Sequence, residues 1–191
     1  IVWSQKVIEK RWENPNFSKI FVDARWASKV YFSGEENFNG VKIIYSSDGE
    51  YGNDVIPKFK LNSKVLYFSE DYSPAFNEFN DKLSAHKFVS SQIEIKINSK
   101  IALELFANDS EINGEGQINF LKIFQRNGSF HLYNLKSKGN IKTIDANIYI
   151  HGEGNNLSVK SINGKVRLSK KRIHKDSDLK IYSLNGNIIH K

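Results

Sequence analysis

The sequence predicts an all-β fold, a parallel β-helix-like solenoid with coils of about 18 residues. Two observations support this prediction: a repeat with this spacing, and an Asn or Asp followed by a small residue at the same place in every repeat. Short repeats that cannot bury their apolar side chains alone do so by stacking on their neighbours. The repeats begin at Leu103, Leu121, Gly139, Leu157 and, after a four-residue insertion, Leu179.

Each repeat contains two short strands with an apolar inner face. Side chains alternate between the two faces of a strand, so apolar residues two positions apart share one face. The first strands place in equivalent positions Leu105, Ile123, Ile141, Val159 and Ile181. The second strands place in equivalent positions Ile112, Phe130, Ile148, Val166 and Ile188. The pattern weakens at Gly114, Gly139 and His190, so we expect the outer repeats to be less regular.

The turn between the two strands has the most specific chemistry. Every repeat places an Asn or Asp before a small residue: Asp109-Ser110, Asn127-Gly128, Asp145-Ala146, Asn163-Gly164 and Asn185-Gly186. These residue types tolerate left-handed backbone angles, which we expect at this corner. An isolated Asn-Gly pair would indicate a hairpin, and a meander of hairpins is the alternative to a solenoid. Recurrence at a fixed spacing favours stacked corners whose side chains form ladders.

The rest of the chain is expected to complete one domain. Its organisation is predicted as a single domain over 1–191, with a capping segment at 1–17, irregular strands over 18–100 and regular repeats over 103–191. The irregular strands are predicted from β-branched and aromatic residues at 19–22, 29–32, 41–45, 64–68 and 92–97. Residues 70–87 suit a helix or a long loop. We expect Trp3, Trp12 and Trp26 to pack in the core or over an open end of the stack.

The charge of the chain is uneven along its length. Residues 1–119 contain 14 Lys and Arg against 17 Asp and Glu, a balance of −3, whereas residues 120–191 contain 14 against 4, a balance of +10. Excess positive charge attracts polyanions, so we expect acidic glycans or envelope proteins as partners. Nucleic acid is not expected, because aromatic residues interleaved along one basic strip are lacking. A solvated surface without a ligand is the alternative.

Cysteine is absent from the chain, which excludes disulfides and thiolate metal sites. Methionine is absent as well, which is consistent with removal of a signal peptide. No apolar stretch approaches the length that a membrane-spanning helix needs, so no transmembrane segment is expected.

Two segments of the repeats resemble a known protein family. The segments 160–166 (KSINGKV) and 182–188 (YSLNGNI) resemble the recurring unit of adhesin-type, GIN-like domains of unknown function in Bacteroidota envelope proteins. The resemblance extends over about residues 18–191 and includes the segment 81–87 (DKLSAHK). It implies a right-handed β-helix-like fold and export by a signal peptide to the periplasm, outer membrane or cell surface. It supplies neither an activity nor functional residues.

No catalytic or metal-binding constellation is predicted, and no cofactor is expected. A metal site needs three or four convergent donors, whereas the histidines are scattered at His86, His131, His151, His174 and His190. Asp81, Ser84 and His86 have the residue types of a hydrolytic triad, but closeness in sequence is not triad geometry. We therefore expect a non-enzymatic surface module. An enzyme acting on an acidic polysaccharide is the alternative.

The best candidate for ligand binding is the outward-facing side of the second strands. Tyr149 beside Arg167 could hold a sugar ring on the aromatic face and a carboxylate or sulfate on the guanidinium. The full set of predicted binding residues is His131, Tyr149, Lys165, Arg167, Lys170, Lys171 and Arg172. An ordinary solvated strand face is the alternative to this binding strip.

Overall fold

The protein is described by a computed structural model that covers residues 6–48, 55–72, 90–152, 156–169 and 178–190. Over these residues the fold is all-β without a helix, as the sequence predicts. The strands are β1 (Lys6–Trp12), β2 (Lys19–Ala24), β3 (Ala27–Glu35), β4 (Val41–Asp48), β5 (Val55–Asn62), β6 (Val65–Tyr72), β7 (Ser90–Asn98), β8 (Ala102–Thr143), β9 (Asn147–His151), β10 (Asn156–Ser161), β11 (Val166–Leu168), β12 (Lys180–Ser183) and β13 (Ile188–His190).

These strands form one open sheet in the described part of the chain. Its main path has the order β1-β4-β7-β3-β8-β2-β6-β5, and β9 to β13 continue from β8. The pairs β1–β4, β4–β7 and β5–β6 are antiparallel, and the other pairs are parallel. The antiparallel pairs all belong to the N-terminal strands, so they border the parallel part of the sheet.

The 42-residue strand β8 bends several times. Its residues 102–107 pair with β2 and its residues 111–116 pair with β3, although only two residues separate β2 from β3. A straight strand of this length would extend about 140 Å, which these pairings do not allow. Later segments of β8 pair with β9 and β10. The bends bring equivalent positions of successive repeats beside one another.

Equivalent positions of successive repeats pair in parallel register. Both apolar columns follow this rule, and they keep their register across the four-residue insertion. The pairs are Phe130–Ile148, Ile148–Val166, Val166–Ile188, Ile141–Val159 and Val159–Ile181. The repeat spacing in the sequence is therefore the spacing of hydrogen-bonded neighbours in the sheet.

Strands before residue 100 pair with the first and second strands of the first repeat. β2 places Ile20 beside Leu103, and β3 places Val30 beside Ile112. On their other sides β2 pairs with β6 and β3 pairs with β7, so β2 and β3 lie between later strands of the chain. Each of the five predicted N-terminal runs falls in a strand, apart from Lys64, which precedes β6, and the observed strands extend up to four residues beyond the predicted runs. In the segment 70–87, residues 70–72 continue β6 and residues 73–87 lie outside the described residues.

The two predicted apolar columns form part of a larger apolar core, which also contains residues of the N-terminal strands such as Ile20, Phe32 and Ile95. The column members from Leu105 to Val166 are buried, whereas Ile181 is half-buried and Ile188 is 41% exposed in the last repeat. Trp12 packs against the core and contacts the rings of Phe17 and Phe59. Trp26 is 39% exposed and so is not a core residue, and Trp3 lies outside the described residues.

The Asn/Asp corner differs from the prediction in its backbone. None of the five Asn/Asp residues has a positive φ, and of the small residues after them only Gly128 does. The predicted left-handed angles are therefore wrong for this corner except at Gly128. The small residue is required by space, because a Cβ at Gly164 would lie 1.9 Å from the carbonyl oxygen of Ala146. A Cβ at Gly186 would lie 2.1 Å from the carbonyl oxygen of Gly164.

The predicted side-chain ladder is present at this corner. The Nδ2 group of Asn163 donates to Oδ1 of Asp145 over 2.7 Å, and Nδ2 of Asn185 donates to Oδ1 of Asn163 over 2.8 Å. Inside the corner, the hydroxyl of Ser161 donates to the carbonyl oxygen of Gly164 over 2.9 Å. The hydroxyl of Ser183 makes the same bond to Gly186. Asn/Asp side chains thus join one repeat to the next.

Left-handed backbone occurs at another corner, after the second strand of three successive repeats. Gly116, Asn134 and Gly152 are spaced by one repeat and have φ values of 81°, 47° and 96°. Glycine adopts this conformation readily, and asparagine tolerates it better than other residues with a side chain. At this column the chain leaves the second strand and enters the segment that leads to the next repeat, such as residues 117–120 and 135–138. We name this segment the third side of the repeat.

Candidate functional site

The outward face of the second strands holds three of the predicted binding residues. His131, Tyr149 and Arg167 belong to β8, β9 and β11, and each pairs with the next in parallel register. Their neighbours in sequence, Phe130 and Ile148, face the core. Because side chains alternate along a strand, burial of those neighbours directs the three side chains outward.

The three side chains form one continuous stack. The rings of His131 and Tyr149 are parallel to within 3°, with centroids 4.4 Å apart. On the other side of Tyr149, the guanidinium carbon of Arg167 lies 5.3 Å from the ring centroid, and Nη1 donates a long 3.5 Å hydrogen bond to the Tyr149 hydroxyl. A guanidinium at this distance from an aromatic ring gains cation–π attraction.

A second stack lies beside the first, two residues further along the strands. Tyr133 and His151 are paired in register, with ring centroids 4.9 Å apart and planes 6° apart. The His131 ring is parallel to both, at 6.2 Å from Tyr133 and 6.4 Å from His151. Four rings and one guanidinium therefore form a surface that we name the ring patch: His131, Tyr133, Tyr149, His151 and Arg167.

Sequence reasoning missed Tyr133 and His151. The signal was available, because each lies two positions after a predicted binding residue and so faces the same side of the strand. The predicted residues include the column of His131, Tyr149 and Arg167 and end before the next outward column along the strands. The structure adds this second column and thereby doubles the number of rings.

The remaining predicted residues lie apart from the stack or outside the described residues. Lys165 precedes β11 and is exposed, and its backbone N–H donates to Oδ1 of Asn147 over 3.1 Å. Its backbone is therefore held at the rim of the ring patch. Lys170, Lys171 and Arg172 lie outside the described residues.

Both faces of the Tyr149 ring are covered by protein groups. His131 lies on one face and Arg167 on the other, since they occupy the neighbouring rows on either side. A sugar ring therefore has no free face of Tyr149 on which to stack. The patch instead offers ring edges, imidazole nitrogens, two phenol hydroxyls and the remaining guanidinium donors. These groups suit hydrogen bonds to sugar hydroxyls and to carboxylate or sulfate.

The electrostatics of the patch favour a neutral His131. Burial lowers the pKa of His131 below its ordinary value of 6.5, and the nearby His151 lowers it further, against an opposing effect of Glu111. Arg167 carries a permanent positive charge in the patch, because a guanidinium stays protonated. Protonation of His131 in acid would add a second charge to the same stack.

A separate polar cluster lies inside the N-terminal half. The Glu70 carboxylate accepts a hydrogen bond from Ser91, and burial raises the pKa of this carboxyl. Burial, followed by the charge of Glu70, raises the pKa of the Tyr45 phenol to about 12. Ser91 and Tyr45 are fully buried, so this cluster belongs to the interior.

The described residues offer neither a metal site nor a membrane-spanning helix. No group of three or more His, Asp or Glu is arranged to hold a metal ion in the ranges that the structure covers. The same ranges contain no helix long and apolar enough to cross a membrane. Asp81, Ser84, His86 and His174 lie outside these ranges.

Comparison with known proteins gives structural likeness without close relatives. The chain is similar to a candidate cell adhesion protein from Clostridium sporogenes, with a TM-score of 0.56 and 17% identity over 98% of this chain and 100% of the other. A candidate adhesin from Bacteroides fragilis is similar at a TM-score of 0.39 and 11% identity, over 98% of each chain. No family model and no curated protein matches the sequence. The Clostridium likeness shows a shared fold, and the GIN-like family stays a prediction.

Proposed function

We propose that this protein is a non-enzymatic module of the cell envelope or cell surface, a rigid scaffold that binds acidic glycans through the ring patch. The observation that carries the proposal is the stack of His131, Tyr149 and Arg167 on three hydrogen-bonded strands. Side chains fixed by a backbone ladder lose little freedom on binding, so the scaffold gives a pre-organised surface.

The architecture proposed for the scaffold is a right-handed, parallel β-helix-like solenoid. In it residues 103–191 supply regular coils, residues 18–100 complete the stack and residues 1–17 help to cap it, all as one domain. The parallel pairing of equivalent repeat positions supports this arrangement. A stack of this kind presents long columns of equivalent side chains on its sides, which suits an extended ligand.

An acidic ligand is favoured by charge. Lys165 and Arg167 lie two positions apart at the exposed edge of the ring patch. Residues 120–191 carry an excess of ten positive charges. A guanidinium binds carboxylate or sulfate through two parallel hydrogen bonds. Envelope proteins with acidic surfaces share this chemistry and are the second class of partner. The extracytoplasmic location belongs to the same proposal, because such glycans are envelope and surface polymers.

The testing experiment is a glycan-binding screen at two salt concentrations, with analysis of the acidic polysaccharides for cleavage products. We expect binding that weakens with salt, without cleavage. The double variant Lys165→Ala/Arg167→Ala should lose most of it. A matched control removes two exposed lysines from the β5–β6 hairpin, Lys60→Ala/Lys64→Ala. Equal binding by both variants would reject the ring patch, and cleavage products would assign the protein to the enzymes.

A further inference from the structure

A cleft formed by described residues lies away from the ring patch, on the third side of the repeat. It has a volume of about 700 Å³, within the usual range for small-molecule and cofactor sites of about 300–1,000 Å³. No residue of the ring patch lines it. The residues that decide its chemistry are Lys100, Lys136, Lys138, Gln117, Asn119 and Asn156.

The cleft is built by successive passes of the chain. Lys136 and Lys138 flank the buried Ser137, and in the preceding repeat Gln117 and Asn119 flank the buried Ile118. Alternation along each pass therefore directs two polar side chains outward per repeat. Packing of the apolar columns in the core holds successive repeats beside one another. The outward polar groups of those repeats therefore lie close together.

Charge makes the cleft a site for anions. It has three lysines and one carboxylate, Glu36, which leaves a balance of +2. In the described ranges, none of the three lysines forms an ion pair. The ammonium groups of Lys136 and Lys138 are thus available to an anionic ligand. Glu36 carries the opposing charge in the cleft.

The hydrogen-bonding groups of the cleft suit an acidic saccharide better than a nucleic acid. The side-chain oxygen of Asn156 accepts from the backbone N–H of Asp178 over 2.9 Å, which leaves its amide hydrogens available. Gln117 adds an exposed amide, and so does Asn119, whose Nδ2 also donates a long 3.5 Å hydrogen bond to the carbonyl oxygen of Lys100. The lining has no aromatic ring on which a nucleic acid base could stack, and its one apolar member, Ile118, is buried.

We propose that the cleft binds an acidic saccharide chain, with Lys136 and Lys138 holding its carboxylate or sulfate groups and the amides of Gln117, Asn119 and Asn156 holding its hydroxyls. This inference goes beyond the proposed function, because it assigns a second site with its own residues. Glu36 opposes the ligand, so its charge limits the affinity of the site.

The test is calorimetric titration of the 191-residue protein with three oligosaccharides: an oligogalacturonate, a sulfated heparin fragment and a neutral cello-oligosaccharide. Lys136→Ala/Lys138→Ala should weaken the acidic ligands by about tenfold or more, because two charge-assisted contacts are lost. Glu36→Gln should strengthen them about two- to threefold, because a repulsive charge is removed. The neutral ligand should bind weakly to every variant.

Controls separate this inference from the proposed function. Lys60→Ala/Lys64→Ala removes the same charge elsewhere and should leave affinity within about twofold. If only Lys165→Ala/Arg167→Ala weakens binding, the cleft inference is overturned and the ring patch stands. If only Lys136→Ala/Lys138→Ala weakens it, the cleft stands and the ring patch is rejected as a glycan site. Unchanged affinity in Lys136→Ala/Lys138→Ala, or equal affinity for the neutral ligand, overturns the cleft.

Discussion

The ring of Phe32 occupies the space that a side chain at Gly114 would need. A Cβ added to Gly114 would lie 2.1 Å from Cζ of Phe32. The two residues pair in register between β3 and β8, and Phe32 is fully buried. Gly114 stands where later repeats have Leu132, Ile150 and Leu168. The space that its missing side chain leaves is filled by Phe32 from the neighbouring strand, so the core stays continuous.

This relationship predicts that Gly114→Ala destabilises the fold. The added methyl group overpacks a full core, which costs about 1–3 kcal/mol of unfolding free energy. Chemical denaturation of the two proteins measures the difference. The matched test repeats the substitution in a Phe32→Leu background, where the smaller side chain leaves room. A cost that is equal in both backgrounds would show that the Phe32 ring is not the cause.

The repeat itself could be predicted from sequence because its causes are local and recur. Val159 and Val166 are buried because their columns pair with the same columns of the next repeat, and that pairing has the spacing visible in the sequence. The Asn163 ladder follows from the same spacing. The position of β2 and β3 between later strands could not be predicted, because their sequences do not repeat and only long-range pairing fixes them.

The Asn/Asp ladder predicts a measurable effect of Asn163→Ala. Its side chain donates to Asp145 and accepts from Asn185, so the substitution removes two hydrogen bonds at an exposed corner. We expect a loss of about 1 kcal/mol of unfolding free energy. Asn127→Ala is the matched control, because that side chain occupies the same column and makes no hydrogen bond in the described part of the chain. Equal losses in the two variants would contradict a role for the ladder.

The left-handed backbone at the second corner predicts that Asn134 tolerates glycine better than a β-branched residue. Its φ of 47° is left-handed, and a β-branched residue is strained in that conformation. Asn134→Val should therefore cost about 1–2 kcal/mol or more, whereas Asn134→Gly should cost less than Asn134→Val. Thermal denaturation measures both variants.

Asn140 provides a control for this ranking. It lies in the segment of β8 that pairs with β10 and has no positive φ, so Asn140→Val places the same residue type in ordinary strand backbone. That variant should be stable, because valine favours strands. If Asn134→Val is as stable as Asn140→Val, the left-handed corner does not govern stability. Sequence reasoning placed the left-handed backbone at the Asn/Asp corner because residue type alone does not separate a crowded position from a strained one.

Part of the candidate site could be predicted because it follows the spacing of the repeat. His131, Tyr149 and Arg167 lie in one column of the repeat, so periodicity alone places them side by side. That both faces of Tyr149 are covered depends on side-chain conformation, which periodicity does not contain. The cleft around Lys136 and Lys138 was missed because it lies on the third side of the repeat, where no apolar column recurs from one repeat to the next.

The stack of His131 on Tyr149 predicts how stability depends on pH. The folded protein lowers the pKa of His131, chiefly through burial, so the unfolded chain takes up this proton at a higher pH than the folded protein does. Stability contributed by neutral His131 is present above the ordinary pKa of 6.5 and is lost as pH falls below it. Melting temperatures of the wild type and of His131→Gln at pH 8 and pH 5 measure this effect, because glutamine cannot be protonated in that range. The wild type should lose more stability between the two pH values than the variant does, and an equal loss would show that protonation of His131 does not oppose folding.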